Sequence, residues 1–271
     1  MTKPRLSHAQ APSVLEAPAK DENGEARAVN IAGEYPLALY VDGREIITLM
    51  TLGRMPEALA VGWLRNQRAV LSVDEIEEVV VDWEVNAAAV YTKNGVLPLS
   101  EKRTATSGCG QGTMFGDLLE SVAAVNFSRP RLLSSAALFD LLEKIRGYDT
   151  VYKAAGAVHA CALADIKDDS CEVLVFAEDV GRHNAADAIA GWMWLNDVDG
   201  GGKVFYTTGR LTSEMAVKCA QMEIPYLVSR SGLTRMGLET AKAAGITMFG
   251  RAINRRYFLF TGEEYFVPDN V

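Results

Sequence analysis

The sequence predicts an α/β fold, a sheet with helices packed on its faces, preceded by a smaller β-rich N-terminal part. Apolar runs at 156–164, 172–177, 203–207, 225–229 and 246–250 are separated, after the first pair, by helical patterns at about 183–196, 213–222 and 234–244. Strands alternating with helices imply a sheet that is largely parallel after an initial hairpin. Before residue 107 the pattern is instead one of short strands around a single helix. No internal repeat is present.

Residues 1–30 are rich in Ala, Pro and charge and show neither helical nor strand period, so they read as a disordered tail. A β-rich subdomain follows over 31–106. In it "YPLALYVDGREIITLM" is two strands joined at Asp42-Gly43, because Asp-Gly supplies the positive φ angles of a tight hairpin turn. Pro56 opens a helix, where its missing N–H costs nothing, and Leu59 and Trp63 share one face of it. "EEVVVDW" and "NAAAVYT" add two strands. A glycine-rich, mobile loop at 107–116 leads into the α/β domain, 117–271. This begins with a helix over "SSAALFDLLEKIRG", with Ala137, Leu138, Leu141, Leu142 and Ile145 at helical spacing, Ser134 or Ser135 as N-cap and Gly147 just past the end.

The chain has 271 residues, 49% hydrophobic and 23% charged, the balance of an ordinary globular protein. A net charge of −8 argues against a nucleic-acid binder, which needs a broad basic face to displace counterions. Any anionic ligand must meet a local basic patch. Four cysteines at irregular spacing are too sparse for a disulfide scaffold and point to a reducing compartment. With no apolar leader at the N-terminus and no run of 18 or more apolar residues, the expectation is a cytoplasmic protein that does not span a membrane.

In such a sheet the segments after the strands gather at one edge, where open α/β folds bind ligands. Here these segments are alike. "EDVGRHNAADA", "TTGRLTSEM" and "SRSGLTRM" each combine Gly, a cation and hydroxyl or amide groups at a helix start. Backbone N–H groups and the helix dipole suit an anion there, and Arg182, Arg210 and Arg230 add bidentate donors. Taken singly, each loop is more simply a turn or a cap. Three on consecutive strands point to a binding edge. The last strand is followed by "GRAINRRYFLFTG", where Arg251, Arg255 and Arg256 cluster in an acidic chain; the ordinary alternative is a solvated hairpin turn.

Cys161, Cys171 and Cys219 fall in apolar strand or helix patterns and read as core. Cys109 lies in "TATSGCGQGTMFG", flanked by glycines and outside any core period, which suits a thiol that accepts a group from one partner and delivers it to another. For a lone cysteine the ordinary reading is an incidental surface thiol. Of the histidines, His8 is in the tail, His159 reads as a satisfied core or edge residue, and His183, beside the binding edge, is the functional candidate.

"EDVGRHNA", "TTGRLTSEM" and "IPYLVSRSGLT", with "LALYVDGREIITLMTLGRMPEALAVGWL" and "ITMFGRAINRRYFLFTG", resemble the FdhD/NarQ family of formate dehydrogenase accessory proteins over nearly the whole chain beyond the tail. The resemblance implies a cytidine-deaminase-like α/β/α sandwich with the β-rich N-terminal part, and a dimer. It implies a sulfur carrier that takes sulfur from a cysteine desulfurase as a Cys109 persulfide and passes it to the molybdenum cofactor, bis-molybdopterin guanine dinucleotide, before insertion into formate dehydrogenase. GDP would be an analogue of that cargo. The implied cofactor-binding set is Arg182, His183, Asn184, Gly209, Arg210, Ser229 and Ser231 on the edge loops. The final loop adds Arg251, Ala252, Ile253, Asn254, Arg255 and Arg256.

Two departures matter. Relatives often carry a C-x-x-C pair, whereas Cys109-Gly110-Gln111-Gly112 has glycine at the second position, so a disulfide or relay within that pair is impossible here and a mechanism needing both thiols is put in doubt. "RAINRR" is also bulkier and more basic than the family's glycine-rich turn. A zinc deaminase is rejected, since "HAC" at 159–161 lacks the glutamate and no P-C-x-x-C pair is present. A nucleotide hydrolase is disfavoured because "SGCGQGT" lacks a P-loop lysine. The alternative that stands is a cofactor-binding chaperone for formate dehydrogenase that moves no sulfur.

Overall fold

The computed structural model describes residues 3–96, 104–105, 112–113, 122, 125–148 and 150–268; Cys109 and most of the glycine-rich segment lie outside the described residues. In the N-terminal part, β4 (Tyr35–Val41) and β5 (Arg44–Thr51) pair antiparallel through Asp42 and Gly43, whose φ angles of 48° and 81° make the tight turn. With β1 (Arg5–Leu6), β6 (Ile76–Asp82) and β7 (Ala87–Thr92) they form a sheet in the order β1-β6-β7-β4-β5.

The stretch read as a disordered tail is ordered into strands. Arg5–Leu6 runs parallel to β6, and β2 (Val14–Lys20) pairs with β3 (Ala26–Ala32) as a hairpin. The sequence hides this because β3 is short in large apolar residues and buries almost nothing, its Val29 and Ile31 being exposed. Its turn is held by polar contacts instead: the Asp21 carboxylate accepts from the Asn23 and Glu25 amides and from Arg27 Nε. The Arg27 guanidinium is the main cause that keeps the Asp21 carboxyl below its ordinary range.

Helix α1 (Pro56–Asn66) starts at its proline and is buried almost all round, because the N-terminal sheet covers one side and a second helix crosses the other. The crossing is main chain on main chain. A Cβ on Gly62 would lie 1.7 Å from the Asp187 carbonyl oxygen, and one on Gly191 1.9 Å from that of Ala58.

The second sheet contains β11 (His159–Ile166), β12 (Cys171–Asp179), β13 (Lys203–Thr207), β14 (Tyr226–Ser229), β15 (Thr247–Ile253) and β16 (Arg256–Thr261), ordered β12-β11-β13-β14-β15-β16. β12, β13, β14 and β15 run in one direction, but β11 lies antiparallel between β12 and β13, and β16 turns back on β15. The expected initial hairpin, β11 with β12, therefore stays closed, and β13 pairs along the other edge of β11. Helix α2 (Ser135–Gly147) covers one face, over Val204, Tyr206, Val228 and Phe249. The other face, with Leu163, Phe205, Leu227 and Met248, is the larger core, shared with the N-terminal sheet and with α4 (Arg182–Leu195), α5 (Ser213–Gln221) and α6 (Arg235–Ala244). A short helix, α3 (Val151–Ala155), links α2 to β11. The result is an α/β/α sandwich on which the N-terminal sheet packs as part of a continuous core.

Ser134 is the α2 cap, its Oγ accepting from the Ala137 amide, and Gly147 is the last helical residue rather than the one beyond. No helix among the described residues is long and apolar enough to cross a membrane.

Candidate functional site

Because β11 is inserted antiparallel, its first residue lies at the edge where its neighbours end: His159 is opposite Asp179 and Cys161 is opposite Thr207. A cavity of about 760 Å³ opens there. Its floor is His159, Tyr206 and Thr208. One wall is Phe139 and Arg146 of α2 with Tyr152 and Lys153 of α3, and the other is Arg230 with Ala252, Ile253, Asn254 and Arg255.

The lining is aromatic and cationic. The Arg230 guanidinium lies 5.8 Å from the Tyr152 ring centroid and that of Arg255 lies 5.8 Å from Phe139. The acidic groups on this lining are Glu143 and Glu178, and the second is already committed: it accepts from the Val151 amide at 2.8 Å and the Tyr152 amide at 3.1 Å, and Arg54 Nη1 is 3.4 Å away. Burial lowers the His159 pKa from its ordinary value, and Arg182, Arg210 and Arg230 add to the effect. Burial pushes the Tyr206 phenol up to about 12, with Arg230 acting in the opposite sense. Guanidinium groups beside flat aromatic rings suit a diphosphate joined to a planar base.

The structure divides the expected site residues. Ala252, Ile253, Asn254 and Arg255 line the cavity, while Arg251 stacks on Phe258, 5.9 Å away, and Arg256 pairs with Ile253 across a tight turn. This segment is thus a hairpin turn and a cavity wall at once. Arg210 is exposed and Arg182 buried, and both bear on His159 electrostatically without lining the cavity.

The others make contacts within the edge itself. Gly209 packs on Arg182, and a Cβ there would lie 2.7 Å from Arg182 Cδ. The Ser229 hydroxyl donates to the Gly209 carbonyl at 2.6 Å and accepts from the Ser231 amide at 2.9 Å. Asn184 Nδ2 donates to the Met50 carbonyl and to Asp179 Oδ1. Asp179 also accepts from Thr51 Oγ1 and the Leu52 and Gly181 amides, and its pKa is raised, chiefly by burial. The "EDVGRHNA" segment is therefore a clasp between β12, α4 and the end of β5.

His183 is buried beneath the edge. It is 1% exposed, its Nδ1 lies 3.4 Å from Glu214 Oε1, and it does not line the cavity. Burial lowers its pKa to about 2, with Lys218, Arg182 and His159 acting in the same direction. The histidine on the cavity is His159, which the sequence places in an apolar run. Its one signal is its position at the open end of a strand.

Cys161, Cys171 and Cys219 are all fully buried. Burial raises all three thiols, to about 12 for Cys161 and Cys171. Cys109 lies outside the described residues, between β8 (Thr104–Ala105) and β9 (Gly112–Thr113), which pair antiparallel. Among the described residues there is no group of three or more His, Cys, Asp or Glu able to hold a metal ion.

The sequence profile of the FdhD/NarQ family matches residues 32–267. The chain is similar to the sulfur carrier protein FdhD of Wolinella succinogenes, 29% identical over 231 residues that cover 84% of this chain and 79% of that one. It is 28% identical to the sulfur carrier protein FdhD of Geobacillus kaustophilus, covering 86% of this chain and 88% of that one. Among solved structures it is similar to a putative formate dehydrogenase accessory protein from Desulfotalea psychrophila, with a TM-score of 0.75 and 25% identity, covering 94% and 98% of the two chains. Matched from Ala32 to Val267, a stretch that holds every helix named above and all the residues that line the cavity, the chain belongs to the FdhD/NarQ family.

Proposed function

We propose that this chain is a sulfur carrier for formate dehydrogenase, in which Cys109 takes sulfur from a cysteine desulfurase as a persulfide and delivers it to bis-molybdopterin guanine dinucleotide held at the cavity. The observation that carries the reading is the burial of the other thiols. Cys161, Cys171 and Cys219 are inaccessible and held protonated, so of the four cysteines Cys109 is left to act as a thiolate nucleophile. The cavity supports the cargo half: Arg230 and Arg255 suit phosphate oxygens, and Phe139, Tyr152 and Tyr206 offer faces for a guanine. We read the protein as cytoplasmic and homodimeric, with the desulfurase and formate dehydrogenase as partners, as the family resemblance implies.

After incubation with a cysteine desulfurase and cysteine, peptide mass spectrometry should find the extra sulfur on Cys109. Cys109→Ala should carry none and should not restore formate dehydrogenase activity in a deletion strain. Glycine at Gly112, where relatives often have a second cysteine, favours a cofactor-holding chaperone as the second reading. Restoration by Cys109→Ala would establish it. GDP should bind the wild type, and Arg230→Ala or Arg255→Ala should each weaken binding by about tenfold to a hundredfold in calorimetry, the usual cost of a lost charge-assisted contact.

A further inference from the structure

We infer that His159 senses the anion in this cavity: a diphosphate bound beside Arg230 brings one proton onto the imidazole, so that binding and proton uptake are coupled. The inference rests on the cavity being the nucleotide site, and it adds a role for a residue outside the set the resemblance implies.

The geometry starts at Thr208. Its Oγ1 accepts from the Ala160 amide at 2.9 Å and lies 3.4 Å from His159 Nδ1. With that lone pair taken, the hydroxyl hydrogen is free to go to Nδ1, which places the neutral ring's own proton on Nε2. The hydroxyl also has a second lone pair. If the ring gains a proton, the hydroxyl rotates and accepts from Nδ1–H, so both states of the ring are satisfied on the same partner. The incoming proton comes from solvent, and no bond other than N–H is made.

Charge decides which state is populated. Arg182 from α4, Arg210 after β13 and Arg230 after β14 all act on His159 and oppose a positive imidazole. Arg146 of α2, Lys153 of α3 and Arg255 of the β15–β16 turn bring more positive charge to the same cavity. The acids are poorly placed to offset this: Glu178 is bound to the α3 amides, Asp179 to the β5 end and α4, and Glu143 lies on the α2 wall. His183 and Tyr206 stay neutral under burial. Without a ligand the ring is therefore neutral. A diphosphate neutralises the guanidinium groups and adds negative charge beside the ring, which favours the imidazolium and gives the anion one more charged donor.

The sign follows from linkage. A ligand that raises the pKa of His159 binds more tightly as pH falls through the bound-state pKa, and the gain is complete below the free-state pKa. With one proton taken up, affinity changes by at most about tenfold per pH unit.

The probe is GDP-mannose, a guanosine diphosphate ester whose own phosphates do not titrate between pH 6 and 8.5. Calorimetry in two buffers of different ionisation enthalpy should show uptake approaching one proton by the wild type and affinity rising as pH falls. His159→Gln should bind with no uptake and a flat profile. A second measurement uses the wild type alone: in proton NMR the chain has three histidines, and the His159 ring resonance should titrate at higher pH once the ester is added. Binding that is independent of pH, with an unmoved His159 titration, would overturn the inference while leaving the nucleotide site standing. Absence of any binding from pH 6 to 8.5 would bring down the site itself, and the coupling with it.

Discussion

At the scale of single residues, the interior under the edge holds more ionisable groups than a core of this size ordinarily tolerates. Asp187 Oδ1 accepts from Asn66 Nδ2 at 2.6 Å and from Lys218 Nζ at 2.5 Å, all three side chains being buried. His183 sits in the same region, and two effects on it compete: the nearby Glu214 carboxylate favours the charged ring, while burial, Lys218 and Arg182 disfavour it. Burial wins, because a ring that is 1% exposed forfeits nearly all its hydration. The folded pKa near 2 lies below the ordinary 6.5, so between these values the unfolded chain binds a proton that the folded one does not. Stability from this residue is fully present above pH 6.5 and is lost as pH falls towards 2. The loss is at most about 1.4 kcal/mol per pH unit. Urea melts at pH 7.5 and 5 should show the wild type losing stability on acidification, with His183→Gln losing less. Equal losses would mean that the ring accepts a proton in place.

At the scale of elements, the crossing of α1 and α4 joins the N-terminal sheet to the helix that begins at Arg182. Its contact is made by main chains, and glycine at Gly62 and Gly191 is required for it. Gly62→Ala forces the helices apart, and overpacking at a rigid main-chain contact should cost about 3 kcal/mol or more. Thermal unfolding would show the drop. The same variant should weaken GDP binding, since moving α4 moves Arg182 and the loop packed on it. Full stability in Gly62→Ala would show that the crossing is looser than its geometry implies. The clasp of Asp179 and Asn184 onto Met50, Thr51 and Leu52 works in the same direction, tying the end of β5 to the start of α4.

At the scale of the whole molecule, the three-layer sandwich buries three of the four thiols. Cys161 and Cys219 lie in the core shared with the N-terminal sheet, and Cys171 in the core under α2. With their pKa values pushed far above neutrality, alkylation by iodoacetamide at pH 8 should be fast at a single cysteine, Cys109, in the folded protein and should reach all four in denaturant. Rapid modification of a second thiol would reveal an opening of the core. The overall charge of −8 also makes the cationic cavity a local exception, so GDP binding should weaken with added salt.

Local patterns in the sequence determined the elements: Asp42-Gly43 as a turn, Pro56 as a helix start, Ser134 or Ser135 as a cap, and the run of strands and helices after residue 156. They also marked the edge loops and singled out Cys109, because glycine, arginine and apolar period are readable residue by residue. Tertiary structure alone decided which neighbours meet. A strand's own period does not say where it inserts, and the placing of β11 between β12 and β13 is what puts His159 on the cavity. Burial sorted the motif residues likewise: His183 is buried beside Glu214 and Asn184 and Ser229 bond to protein groups, while Tyr152, Tyr206 and Thr208, inconspicuous in the sequence, line the cavity. Hairpin β2–β3 stayed hidden for the converse reason, since Leu15, Val29 and Ile31 are exposed and only Val14 and Ala32 at its base pack on a core, so its ladder rests mainly on backbone pairing.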